Sequence, residues 1–211
     1  MLLSLLAAAL CLGTCLPLFM HYKKSLRPVM ATIYKCLGTA CAMIIALTAA
    51  IRLDPMAWLC VAALLLHMVA DGVLEFNFPA GAGFFIAGHI FYFACFMQRF
   101  PFKATHVICF VLLLAGSLFL LYRWRKQAGK QLPLLILYAV MLCALCAVCV
   151  AGGVAAYSLS GILISIAGAL LFLSDSILCY RLLFPAPKVL SWIIMITYYL
   201  AQLLFASSWL I

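Results

Sequence analysis

Two aspartates stand inside long apolar runs: Asp71 in "LLLHMVADGVLEF" and Asp175 in "AGALLFLSDSILCYRLLF". The chain has four acidic residues in all, so placing two of them in such runs calls for a reason. Further polar groups occupy similar surroundings: Lys35, His67, Glu75, His89 and Gln202, with several tyrosines. An Asp or Lys at mid-membrane costs roughly 2.5–3.5 kcal/mol on insertion scales. Groups held at that cost generally face the interior of a bundle, pair with one another and exchange protons or bind a polar ligand. His67, Asp71 and Glu75 are spaced i, i+4, i+8 and form one stripe on one helical face. Glu75 falls at the end of that run, where the headgroup region could hold it, and His67 can be satisfied by a neighbouring helix. Asp71 and Asp175 are deep, and neither has a basic partner close by in the sequence.

The elements that must position these groups follow from composition. Of 211 residues, 70% are hydrophobic and 8% charged. A soluble domain is about half apolar, so this chain lacks the polar surface that water requires. In lipid, backbone hydrogen bonding leaves only helices or a closed barrel. The apolar runs are continuous, without two-residue alternation, and each approaches the ~20 residues a spanning helix needs. Eight spans are expected, over 2–20, 29–50, 56–76, 82–98, 104–122, 132–151, 158–180 and 188–210. The connections are short, so the expected fold is one all-α, polytopic eight-helix bundle over residues 1–211. The first run reads as a span rather than a leader, because its charges (Lys23, Lys24, Arg27) follow the apolar stretch instead of preceding it.

The net charge of +9 is distributed as the positive-inside rule expects, and not as a nucleic-acid interface. Loops 1–2, 5–6 and 7–8 hold nine basic residues: Lys23, Lys24, Arg27, Arg123, Arg125, Lys126, Lys130, Arg181 and Lys188. The opposite side holds three, Arg52, Arg99 and Lys103. That bias predicts a cytoplasmic first side and both termini outside. The eleven cysteines show no metal-pair spacing. Cys143, Cys146 and Cys149 recur at helical spacing and read as small apolar side chains.

With this topology the depths of the polar groups can be compared. Lys35, Asp71, His89 and Asp175 lie about five to seven residues from the cytoplasmic ends of their spans, or ~8–11 Å at 1.5 Å per residue. Tyr198 and Gln202 lie deeper. Five helices therefore offer polar groups to one leaflet, which predicts a cavity open to that leaflet or to the cytosol. The phrases around Asp71 and Asp175 are also alike. Asp71 precedes Tyr92 by 21 residues and Asp175 precedes Tyr199 by 24, which suggests a parallel repeat of two four-helix halves. Two functional classes stay open at this point. Intramembrane acids and a repeat suit a proton-coupled transporter of a small molecule or lipid. Polar groups confined to one leaflet suit a site with no path across.

At these residues the chain resembles the YhhN family of integral membrane proteins, which includes the lysoplasmalogenases. The match is carried by Gly168-Ala169-Leu170-Leu171-Phe172, then Ser174-Asp175, then Thr197-Tyr198-Tyr199 with Ala201-Gln202. It continues in Asp71 with Leu74, in Gly88-His89 with Tyr92, and in Lys35 early in span two. Family members commonly carry a proline after this lysine and a glycine before the first aspartate, where Cys36 and Ala70 stand here. The resemblance covers nearly the whole chain. It implies an eight-helix bundle in a bacterial inner membrane or eukaryotic endomembrane, acting on a lysophospholipid. The implied reaction is hydrolysis of the vinyl ether bond of lysoplasmalogens to a fatty aldehyde and a glycerophospho-alcohol. Protonation of the vinyl β-carbon leaves an oxocarbenium ion to which water adds. A pair of carboxyl groups suits this, one acting as acid and the other, ionised, steadying the cation, as in glycosidases. Asp71 and Asp175 are the implied catalytic pair. Lys35, Glu75, His89, Tyr92, Ser174, Tyr198, Tyr199 and Gln202 are implied to bind or orient. No cofactor is implied, and no histidine pair has metal-ligand spacing.

Overall fold

The computed structural model describes residues 2–211. Among these residues the regular structure is entirely helical, and eight segments are long and apolar enough to cross a membrane. They are α1 (Leu2–Lys24), α2 (Pro28–Arg52), α3 (Ala57–Leu74), α4 (Phe78–Arg99), α5 (Ala104–Arg123), α6 (Arg125–Ala155), α7 (Leu159–Leu183) and α8 (Val189–Ser207). The protein is a multi-pass membrane protein.

Several ends differ from the hydropathy reading because capping chemistry, not hydrophobicity, sets them. The fourth span starts at Phe78 and not at residue 82. Asn77 Oδ1 accepts from the Ala80 N–H at 3.1 Å, and Pro79 occupies the first turn, where a missing N–H costs nothing. Pro28 opens α2 for the same reason. Ser158 caps α7 by accepting from the Gly161 N–H at 3.0 Å. The third span ends at Leu74, so Glu75 is its cap and not a member of its last turn. The sixth span starts earlier than expected, at Arg125, and passes through a 3-10 turn at Gly129–Gln131.

Two spans carry a widened π-helical turn. In α1 it lies at Cys11–Cys15, six residues ahead of Pro17 at its start and two at its end. Pro17 has no N–H and its ring crowds the carbonyl of residue 13, so the ladder opens there. In α6 it lies at Val148–Gly152, where the Ser165 hydroxyl of α7 donates to the Cys149 carbonyl at 3.1 Å. The Cys149 carbonyl thus accepts from α7 as well as from the Gly153 N–H of its own helix.

The packing repeats. α1 packs on α2 as α5 packs on α6; α2 on α3 as α6 on α7; α3 on α4 as α7 on α8. The two strongest cross-links between halves, α2 on α8 and α6 on α4, also exchange under a shift of four spans, whereas α8 additionally touches α1 and α3 without such a counterpart. A parallel repeat of two four-helix halves requires this pattern. α5 is the most peripheral span, with Ile108, Val111, Leu112 and Phe119 exposed as a lipid-facing helix demands.

Two glycines set helix separations near the polar residues. A Cβ on Gly88 would collide with the His67 ring, so α4 closes onto α3 only because that position is bare. A Cβ on Gly38 would fall 2.5 Å from the Tyr199 ring, so α2 and α8 meet in the same way.

Candidate active site

Each aspartate is held by side chains from two other helices. Asp71 on α3 receives the Thr39 hydroxyl of α2 at 2.6 Å and the Tyr198 hydroxyl of α8 at 2.9 Å, both on Oδ2. Lys35, one turn before Thr39 on α2, places its ammonium 3.4 Å from Oδ1. Asp175 on α7 receives the Tyr138 hydroxyl of α6 at 2.6 Å on Oδ2, and His89 Nε2 of α4 lies 3.5 Å from the same oxygen. The shift of four spans that relates the halves carries α2 to α6, α3 to α7 and α8 to α4. It therefore carries the Asp71 cradle onto the Asp175 cradle. The residues in corresponding places in the two cradles are Tyr198 and His89.

The two cradles differ in charge. Asp71 has a cation and two hydroxyl donors, and a group that only accepts is best matched to them as the carboxylate. Asp175 has a single hydroxyl and a histidine. Among the described residues its other oxygen, Oδ1, has no hydrogen-bond donor.

Both aspartates line one polar cavity of about 330 Å³, together with Lys35, Glu75, Ser174 and Tyr198. Lys23 and Arg181 stand at its mouth. There Glu75 takes Lys23 at 3.2 Å and Lys35 at 3.6 Å. Burial pushes the Glu75 carboxyl up, but the two lysines outweigh it and hold the group below the usual carboxylate range. A second cavity of about 300 Å³ lies among α4, α5, α6 and α7, walled by Ala82, Leu121, Leu135, Leu142 and Phe172. Asp175 borders both cavities, as do Leu74, Phe78, Phe85, Leu178 and Leu182.

Other residues expected at the site stand behind it. His89, Tyr92 and Gln202 are fully buried and line neither cavity, contrary to the expectation of His89 and Gln202 facing a common space. Gln202 lies one turn beyond Tyr198. There it accepts from the Tyr92 hydroxyl at 2.6 Å and pairs with His67 Nδ1 at 2.7 Å. His67 meets the edge of the His89 ring, centroids 5.0 Å apart. Gln202, Tyr92 and His67 form a hydrogen-bonded floor against which the His89 ring packs, closed from below by the packed rings of Tyr92, Phe96 and Phe205. Tyr199 donates to the Lys35 carbonyl at 3.0 Å and Ser174 to the Ile194 carbonyl at 3.0 Å. Each ties two helices together, and Ser174 also lines the polar cavity.

Thr39 and Tyr138 escaped the sequence reading. Both had a signal: Thr39 lies one turn from Lys35, and Tyr138 sits at the depth of Lys35 in the equivalent span of the second half. All eleven cysteines are free thiols. Among the described residues no cluster of three His, Cys, Asp or Glu side chains is placed to hold a metal ion.

Residues 30–209 match the YhhN family, and this span includes both cradles and every residue of the floor. The chain belongs to the YhhN family. No curated protein and no solved structure shows significant similarity to it. In this YhhN protein the matched region begins at the start of α2, so α1, which supplies Phe19 and Lys23 to the polar cavity, lies outside it.

Proposed function

We propose that this protein is a membrane-embedded hydrolase that cleaves the vinyl ether bond of lysoplasmalogens, with Asp175 as general acid. The observation that carries the reading is the position of Asp175 at the junction of an apolar and a polar cavity. A single-chain lipid has this division itself, with a hydrocarbon chain, a reactive ether at its head end, and a polar remainder. With the chain in the apolar cavity and the glycerol in the polar one, the vinyl ether lies beside Asp175.

The chemistry follows from the two cradles. Asp175 delivers its proton to the β-carbon of the vinyl ether, and the π electrons form the new C–H bond. The ether oxygen shares the resulting positive charge as an oxocarbenium ion. Asp71, kept anionic by Lys35, Thr39 and Tyr198, lines the same cavity and steadies that cation. Water adds to the α-carbon and returns a proton to Asp175. The hemiacetal then collapses, its C–O bond to glycerol breaks, and the products are a fatty aldehyde and the glycerol hydroxyl. With Oδ2 taken by Tyr138, Oδ1 is the oxygen left to carry the proton to substrate. The floor of Gln202, His67 and Tyr92 fixes His89 behind it.

Family membership supports a lipid-linked role, and the closed floor supports chemistry in one leaflet over transport across both. The test is aldehyde release from a 1-alkenyl lysophospholipid by the purified protein, with the 1-acyl lysophospholipid as control.

A further inference from the structure

The mouth of the polar cavity holds an unbalanced charge. Lys35 is matched by Asp71 and Lys23 by Glu75. Arg181, on the same wall, has no carboxylate within ion-pair distance among the described residues. Its recorded side-chain partner is a neutral one, the Ser191 hydroxyl of α8, at 2.5 Å from Nη1. Arg181 is only part-exposed, so the guanidinium is partly withdrawn from water without an anion to meet it.

We infer that this mouth is a headgroup subsite, in which Arg181 with Ser191 binds the phosphodiester of a lysolipid and Glu75 takes its amine. The inference rests on the reading of the site as a lysoplasmalogen hydrolase. A phosphodiester brings one negative charge, which matches one unpaired cation, and its two free oxygens suit the fork of a guanidinium. Arg181 follows Asp175 by six residues, about 9 Å along α7. A three-carbon glycerol bridge and the arginine side chain span that interval, so phosphate at Arg181 leaves the ether at Asp175. Glu75 is the carboxylate at the rim, on the opposite wall. Lys23, which now occupies it, is 41% exposed and can turn outward to the phosphate when an ammonium group arrives. Lys35 is less suited to the phosphate than Arg181. Lys35 is 6% exposed and already lies between two carboxylates.

The test compares three cleavable probes on the purified, detergent-solubilised protein. These are a 1-alkenyl lysophosphoethanolamine, the same lipid without the amine (1-alkenyl glycerophosphate), and 1-alkenylglycerol without phosphate. Arg181→Gln should reduce the kcat/KM preference for the phosphate-bearing lipids over 1-alkenylglycerol by about tenfold or more, the scale of a lost charge-assisted hydrogen bond. Arg181→Lys should fall between. Glu75→Gln should reduce the preference for the ethanolamine lipid over the glycerophosphate. Unchanged ratios in Arg181→Gln and Glu75→Gln overturn the subsite. Competition by glycerophosphoethanolamine but not by inorganic phosphate at equal concentration identifies a headgroup as the ligand; equal competition by both overturns that source. If the wild type releases no aldehyde from any probe, the hydrolase reading has failed on its own. The subsite is then decided by thermal shift with the saturated 1-alkyl lysophosphoethanolamine against 1-alkylglycerol. A larger shift for the phosphate-bearing lipid that Arg181→Gln abolishes supports the subsite, and equal shifts overturn it.

Discussion

Asp175 borders both cavities and gives Oδ2 to Tyr138, which leaves Oδ1 without a hydrogen-bond donor among the described residues. Tyr138→Phe should keep the ring in place and remove the 2.6 Å bond. Turnover should then fall by about tenfold, the order of one hydrogen bond to a charged or reacting group, with KM little changed. Steady-state aldehyde release across lipid concentration separates the two parameters, and a change confined to KM would assign Tyr138 to chain binding instead. Lys35 is a different case. It lies in a buried ion pair with Asp71, and breaking such a pair by removing one partner costs on the order of 3–5 kcal/mol. Lys35→Met should therefore lower both turnover and the melting temperature in detergent. Adding Asp71→Asn to it should restore part of the melting temperature, because the stranded carboxylate is gone. A double variant that melts at the sum of the two single losses would mean that the two groups act independently.

At the scale of helices, the site depends on close approach at bare backbone. Gly88→Ala should press on the His67 ring of α3 and so push α4 away from α3. A loss of about 1–3 kcal/mol is expected, the usual cost of overpacking a tight contact, and thermal unfolding in detergent measures it. Gly83→Ala, with no atom near its Cβ position, is the control on the same helix and should melt close to wild type. Helix scale is also where the sequence was most and least legible. Lys35, Asp71 and Asp175 stood out because a charge in hydrocarbon is costly, and their depth could be counted from the span ends. Direction around the helix could not be counted in that way. His89 and Gln202 were thus expected in the open cavity when the structure places them beneath it. Thr39 and Tyr138 carry no insertion penalty large enough to mark them, so they passed as ordinary lipid-compatible residues. The early starts of α4 and α6 were hidden because Asn77 and Pro79, and the run 125–131 with its three cations, lower local hydropathy where capping and a 3-10 turn continue the chain.

For the whole molecule, the eight apolar runs were legible because lipid permits so few alternatives. The repeat was visible only as two similar phrases. Its physical basis is the pair of cradles, each built from helices far apart in sequence, which no local pattern reveals. The positive-inside bias predicts that the mouth with Lys23, Glu75 and Arg181 faces the cytoplasm and that the C-terminus is outside. A C-terminal reporter active only outside the cytoplasm is the expected result; one active only in the cytoplasm reverses the orientation and places the mouth in the other leaflet.

The central claim is that Asp175 gives its proton to a vinyl ether while Asp71 stays charged beside it. The most direct measurement is aldehyde release from a 1-alkenyl lysophospholipid by purified wild type, Asp175→Asn and Asp71→Asn, with the 1-acyl lipid alongside. Wild type should release aldehyde and leave the acyl ester intact. Asp175→Asn should lose at least about 10²-fold in turnover, the scale of general acid catalysis, while remaining folded. Asp71→Asn should lose a comparable factor, and the double variant should be little worse than the weaker single one, because the two groups act as a unit. Near-normal aldehyde release by Asp175→Asn, or equal cleavage of the acyl ester by wild type, would contradict the account.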